Sequence, residues 1–211
     1  MAQYFEIHPV NPQPRLLRQA AEIVRRGGLI AYPTDSSYAL GCPIGDADAV
    51  QRLRRVRGVD DKHHQTLMCR DLSEIGTYAI VDNRQYRLLK SLTPGSYTFI
   101  LQATREVPKR LQHPKRKTIG VRVPDNAVAL GLLEELGEPM LSSTLILPGA
   151  DAPLADADEV REALERQIDL VVDGGYCGTE PTTVVDLSGE VPTVVREGRG
   201  DVSRIGRQDA V

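Results

Sequence analysis

The sequence has no tryptophan and only two phenylalanines in 211 residues, so its core must rest on Leu, Val, Ile and Ala. A platform that stacks the bases of a single strand draws on aromatic faces, and this composition argues against one. Cysteine is equally sparse. Cys42, Cys69 and Cys177 are odd in number, far apart and in no CxxC spacing, which leaves a zinc site or a disulfide framework without support. Reduced thiols of a cytosolic protein are the expected state. No stretch approaches the ~18 apolar residues of a membrane span, and the opening MAQYFEIHPVNPQPR carries no apolar signal-peptide core. A cytoplasmic location is the expectation. The formal net charge of -3 excludes a protein that is basic overall, so any contact with nucleic acid must use a local stripe. There is no Walker loop, Rossmann fingerprint or GxSxG elbow, and covalent serine catalysis has no positive support.

What is present is the pattern of one globular domain over residues 1–211, a length within the range of single-domain folds. Apolar alternation predicts strands at residues 3–7, 29–32, 38–42, 65–69, 97–101, 118–123, 139–147 and 168–173. A closing hairpin of residues 182–187 and 191–196 turns at Ser188-Gly189. Helices are predicted from Asn11-Pro12 through Val24, from near Asp46, after Asp71, and over residues 84–92, 127–136 and 159–167. Strands alternating with helices predict an α/β fold, a mixed sheet covered by helices. The polar tail after Gly200 is expected to fray.

Four segments carry residue types suited to chemistry. Thr34-Asp35-Ser36-Ser37 follows a buried strand at its C-terminal end, where α/β sheets bind ligands, yet the same residues would also form an Asx or Ser/Thr turn. Arg52, Arg54, Arg55 and Arg57 are clustered, and guanidiniums grip phosphates bidentately. If the helix runs through the cluster, Arg57 lies near its apolar face and Arg55 points away. If it ends before Arg55, both side chains share one side of an extended segment and form a clamp. A solvated basic face is the third reading. Arg122 interrupts an apolar strand, and a buried guanidinium requires an acidic partner, backbone acceptors or a ligand anion. Ser142, Ser143 and Thr144 are consecutive strand hydroxyls, with alternation sending Ser143 to the face opposite the other two. His63-His64 has no second ligand pair at metal spacing and reads as solvated loop. Lys109-Arg110 and Lys115-Arg116-Lys117 form a basic patch for RNA phosphates or for solvent.

The ordered set AYPTDSSYALGC, RRVR, TLMC, TPGSYTFIL, TIGVRVPDN, EPMLSSTL, GGYCGTEPTTVVDLSG and VVREG resembles the YrdC/YciO family, whose better-known members are threonylcarbamoyl-AMP synthases. The resemblance spans roughly residues 15–200 and is nearest to the YciO branch. It implies a three-layer fold with a twisted mixed sheet around a concave basic cavity. It also implies a nucleotidyltransferase reaction, in which L-threonine, bicarbonate and ATP give threonylcarbamoyl-adenylate and pyrophosphate for tRNA modification, with Mg2+ bound through the ATP. On the family's motifs, Thr34, Thr98 and Thr182 fall at threonine-binding hydroxyls. Arg55 and Arg57 take the two catalytic cations of its Lys-x-Arg motif, and Arg55, Arg57, Arg122, Ser142, Thr144 and Arg196 its ATP and phosphate contacts. The chain departs from the pattern at Arg55 (for Lys), Gln65 (for Asn), Ile146 (for Asn) and Pro148 (for Ser), departures expected to weaken synthesis. The alternative is a non-catalytic protein that binds double-stranded RNA, tRNA or rRNA with the same cavity.

Overall fold

The computed structural model describes residues 1–60 and 66–205, so the expectations for His63, His64 and Gln65 lie outside the described residues. Local sequence sets most element boundaries. β1 (Gln3–Glu6) leads into α1 (Pro14–Arg25), which buries Leu17, Ala20, Ala21 and Val24. This helix begins later than Asn11-Pro12 would put it. Gln13 precedes a proline, which disfavours helical backbone, and it is held extended at φ -73 and ψ 117, so Pro14 becomes the first helical residue. β2 (Ile30–Pro33) and β3 (Tyr38–Pro43) flank the 34–37 turn. The Asp46 carboxylate accepts from the N–H groups of Asp48 and Ala49 and starts α2 (Ala47–Arg57), which Gly58 ends in the left-handed region at φ 63. β4 (Thr66–Met68), α3 (Leu72–Tyr78), α4 (Asn83–Leu92), β5 (Tyr97–Gln102) and β6 (Thr118–Arg122) follow.

α5 (Ala127–Leu136) is bounded by the Asn126 cap and by Gly137 at φ 77. After β7 (Met140–Thr144), α6 (Ala157–Leu164) starts two residues before Glu159, because the Asp156 side chain accepts from the N–H groups of Asp158 and Glu159. β8 (Leu170–Asp173), β9 (Thr183–Asp186) and β10 (Thr193–Arg196) complete the sheet. The stretch after Gly200 does not fray as far as Ile205. Gly200 sits so close to Tyr97 that a Cβ would stand 2.5 Å from its ring, the Tyr97 hydroxyl donates to the Asp201 carbonyl at 3.2 Å, and Ile205 is buried.

The ten strands form one mixed sheet in the order β1-β8-β2-β3-β7-β4-β6-β5-β9-β10, with the closing hairpin β9–β10 antiparallel as expected. Alternation sends side chains to two helical layers. One face packs Ala31, Leu40, Leu67, Val121 and Val171 against α2, α4 and α6. The other packs Ile30, Tyr32, Leu170 and Val172 against α1 and α5. The second layer is incomplete, and this decides where the site is. α1 and α5 cover the β8-β2-β3 part of their face, while the β7-β4-β6-β5-β9 part carries Ser142, Thr66, Arg122, Thr98 and Thr182 along a concavity.

Candidate functional site

The uncovered part of the sheet forms a cavity of about 460 Å³. Ala39, Met68, Ile100, Val184 and Val195 give it apolar wall, and Arg57, Arg116, Arg122 and Arg196 bring four guanidiniums to it from a helix, a turn and two strands. A smaller cleft of about 130 Å³ lies between α4, the β9–β10 turn and Ile205, away from this convergence of arginines.

Arg122 lies deepest. Its side chain is 6% exposed and its Nη2 donates to Asp35 Oδ1 at 2.5 Å, with a longer contact to Thr34 Oγ1 at 3.5 Å. The buried guanidinium thus takes an acidic partner, supplied from the turn between β2 and β3. That turn also satisfies its own backbone: Thr34 Oγ1 donates to the Ser37 carbonyl at 2.7 Å and accepts from the N–H groups of Ser36 and Ser37. The Ser/Thr turn expected of these residues thus forms around Thr34, and Asp35 engages Arg122 behind the cavity lining.

Helix α2 runs through the whole arginine cluster, so the extended clamp does not form. Arg55, two residues before Arg57 and therefore roughly 200° away around the helix axis, is exposed and does not line the cavity. Arg57 turns inward. Its Nε donates to Ser143 Oγ at 3.0 Å and its Nη1 donates to the Ile146 carbonyl. Pro148 packs at the C-terminal end of the same helix, where a Cβ on Gly58 would stand 2.9 Å from its ring. Ile146 and Pro148 thus belong to the segment that holds Arg57, through a main-chain acceptor and a packing contact.

Ser142 and Thr144 line the cavity as alternation expects, and Ser142 Oγ shares a 2.6 Å hydrogen bond with the hydroxyl of the fully buried Tyr32. Gly41 makes room for that ring: a Cβ there would fall 2.9 Å from Tyr32 and 2.6 Å from the Met140 sulfur. Ser143, expected on the opposite face, also meets the cavity, because Arg57 reaches it from the helical layer on that face. Thr98 and Thr182 share a 2.9 Å hydrogen bond in the wall, and Arg196 donates through Nε and Nη2 to the Thr182 carbonyl at 3.1 and 2.9 Å. Of the residues expected at a site, Arg57, Thr98, Arg122, Ser142, Thr144, Thr182 and Arg196 come together here, Thr34 stands behind Arg122, and Arg55 stands apart.

The charges are unevenly matched. Arg122 is paired with Asp35, and Arg116 with Asp186 at 2.7 Å. Arg57 and Arg196 make no ion pair among the described residues. Burial lowers the pKa of Arg57, and desolvation followed by the like charge of Arg122 lowers that of Arg196. Two partly desolvated cations without carboxylates make the cavity electropositive, which suits an anionic ligand. None of the cysteines is an activated nucleophile: burial pushes the Cys42 thiol up to about 12, Cys177 to about 11 and Cys69 well above its ordinary range.

The sequence offers Asp35 only as part of the 34–37 turn, Ser143 only as a hydroxyl on the opposite face and Arg116 only within a basic patch, and it gives no role to Asp186 or to the Tyr32 hydroxyl. For Asp35 a signal existed, since a lone arginine in an apolar strand demands an acid and Asp35 is the one carboxylate of the 34–37 turn.

The family model Sua5/YciO/YrdC, described as "Telomere recombination", matches residues 22–198. Escherichia coli YciO is 59% identical over 202 residues, covering 96% of this chain and 98% of that protein. Its crystal structure matches with a TM-score of 0.94, covering 97% of this chain and 100% of that one. The threonylcarbamoyl-AMP synthase of Halorhodospira halophila is 31% identical over 192 residues, 90% of this chain and 94% of that protein. The crystal structure of Pyrococcus abyssi Sua5 complexed with L-threonine matches at 26% identity and a TM-score of 0.85, over 92% of this chain and 57% of that one. With a matched span that takes in every arginine of the cavity and with this ten-stranded mixed sheet, the chain belongs to the Sua5/YciO/YrdC family.

Proposed function

We propose that this protein is a threonylcarbamoyl-AMP synthase-like nucleotidyltransferase that converts L-threonine, bicarbonate and ATP into threonylcarbamoyl-adenylate, pyrophosphate and water for tRNA modification. One observation carries the reading: Arg57, Arg122 and Arg196, distant along the chain, line one cavity in which two arginines make no ion pair among the described residues. In this reading Arg57 and Arg196 face the polyphosphate, with Arg122, Ser142 and Thr144 as further contacts. The Thr98–Thr182 hydroxyl pair, backed at a distance by Thr34, faces the amino acid. The synthase of H. halophila and the L-threonine complex of P. abyssi Sua5 support the same class of chemistry.

The threonine nitrogen adds to the bicarbonate carbon with loss of water, a carbamate oxygen attacks the α-phosphorus, and pyrophosphate leaves in line. Such a transfer asks the protein mainly for positioning and for charge neutralisation at the phosphates. Arginines pre-set by Ser143, Asp35 and Thr182 meet that demand without reorganising. Among the described residues no group of three or more His, Cys, Asp or Glu could hold a metal, and Asp186 in the cavity and Asp35 behind it are each engaged by an arginine. In this reading Mg2+ arrives bound to the ATP. The test is calorimetric binding of MgATP together with pyrophosphate release that requires both threonine and bicarbonate. A protein that shows neither is not a synthase.

The RNA reading draws on a separate observation. Lys115 and Lys117 are exposed while Arg116, between them, lines the cavity. RNA seated on this turn would lie over the cavity mouth and compete with ATP, and its affinity would fall steeply with salt. Salt-independent binding, or binding that ATP does not displace, rejects that arrangement.

A further inference from the structure

Asp35 occupies an unusual position for a carboxylate. It lies beneath an electropositive cavity with its side chain 10% exposed, and each of its oxygens has a different partner. Oδ1 accepts from Arg122 Nη2 at 2.5 Å, and Oδ2 accepts from Ser96 Oγ at 2.5 Å. One side chain therefore ties together the 34–37 turn, the entry to β5 and the end of β6. The turn beneath it is fixed in its own right by the three hydrogen bonds of Thr34 Oγ1, so the carboxylate is held on a rigid base. Arg122 is gripped on one edge only. Its Nε is buried and has no hydrogen-bond partner among the described residues. The residue itself lines the cavity, where the part of the guanidinium not held by Asp35 can meet an acceptor on a ligand.

We propose that Asp35 is a positioning residue: it fixes Arg122 as an oriented hydrogen-bond donor at the cavity floor and takes that arginine out of the cavity's net charge. Work in the cavity is then divided. Arg57 and Arg196, which make no ion pair among the described residues, supply the attraction for an anion, while Arg122 supplies a donor of fixed direction. The other cavity pair, Arg116–Asp186, does not share this role, since Arg116 is 44% exposed and stands at the rim. The inference rests on the ATP reading for the identity of the ligand but not for the geometry of the pair.

The test compares wild type with Asp35→Ala, Asp35→Asn and Ser96→Ala, reading MgATP affinity by calorimetry and the Arg122 Nε–H resonance by nitrogen-15 NMR. That resonance is identified by its absence in Arg122→Lys. The asparagine can still accept from Arg122 through its amide oxygen, and the Ser96 hydroxyl can turn round to accept from its NH2. Asp35→Asn is therefore expected to rescue binding to within threefold of wild type and to keep the resonance sharp. Asp35→Ala is expected to weaken MgATP at least tenfold and to shift or broaden the resonance. Should Asp35→Ala fail to fold, Ser96→Ala, which removes only the second tether, is expected to weaken MgATP two- to fivefold and to shift the same signal. An unchanged Arg122 signal and affinity in Asp35→Ala or Ser96→Ala overturns the proposal. So does a folded Asp35→Asn as weak as Asp35→Ala, because charge and not orientation would then be the requirement. If wild type binds no MgATP while the resonance still responds to Asp35→Ala, the nucleotide reading falls and the positioning role stands.

Discussion

Replacing Arg122 with methionine isolates the energetics of the pair on which the cavity floor depends. The two side chains are 6% and 10% exposed, so removing the cation leaves a carboxylate with little access to water. Breaking a buried pair in this way costs on the order of 3–5 kcal/mol, mostly from the charge left without compensation. Asp35 keeps its hydrogen bond from Ser96, so the expected loss lies at the low end, about 3 kcal/mol. In a domain of this size each kcal/mol lowers Tm by about 2–4 °C, which puts Arg122→Met about 6–12 °C below wild type. Methionine fills much of the volume of the arginine stem, so little of the loss comes from a cavity. Adding Asp35→Asn removes the stranded charge and should return at least ~1 kcal/mol, making the double variant more stable than the single one. Urea unfolding at pH 7 of wild type, both single variants and the double variant gives the coupling energy directly. A loss below ~1 kcal/mol for Arg122→Met, or a double variant no more stable than Arg122→Met, refutes the argument that this pair is buried and coupled.

The two arginines of the α2 end should separate cleanly: Arg57→Met is expected to weaken MgATP at least tenfold and Arg55→Met less than threefold, since one lines the cavity and the other is exposed. Calorimetry that finds equal effects would mean that the ligand is held outside the cavity. Tyr32→Phe deletes the 2.6 Å bond to Ser142 and should cost about 0.5–1.5 kcal/mol in chemical denaturation while the ring packing survives. A stability unchanged within error would show that the hydroxyl pair contributes nothing. Burial raises the Cys177 thiol to about 11, and because the thiolate is the reactive form, raising the pKa lowers reactivity at neutral pH. Iodoacetamide should therefore label native Cys177 roughly a hundredfold more slowly at pH 8 than an ordinary thiol of pKa about 8.5, with the rate climbing as pH rises towards the folded value. Rapid labelling of the native protein at pH 8 contradicts the burial argument.

What the sequence made legible follows from the range over which each cause acts. α5 has the boundaries its periodicity gives, because the Asn126 cap and the Gly137 stop are local signals. The question of whether α2 passes through Arg55 and Arg57 was also answerable locally: Gly58, not a residue before Arg55, provides the left-handed ending. The failure at α1 was local too, since a proline at position 14 outweighs a good cap at Asn11 by keeping Gln13 extended. The site itself depends on contacts with no local cause. Asp35 meets Arg122 across 87 positions and Tyr32 meets Ser142 across 110, and both meetings require β7 to lie between β3 and β4, next to neither of them in the chain. Alternation correctly separated Ser143 from Ser142, yet both touch the cavity, because α2 brings Arg57 round from the opposite layer. The requirement that Arg122 have a partner was readable from one strand; the partner's identity was a property of the strand order. For this chain, then, residue type specifies which groups must be satisfied, and topology decides which distant group satisfies them, as Asp35 does for Arg122.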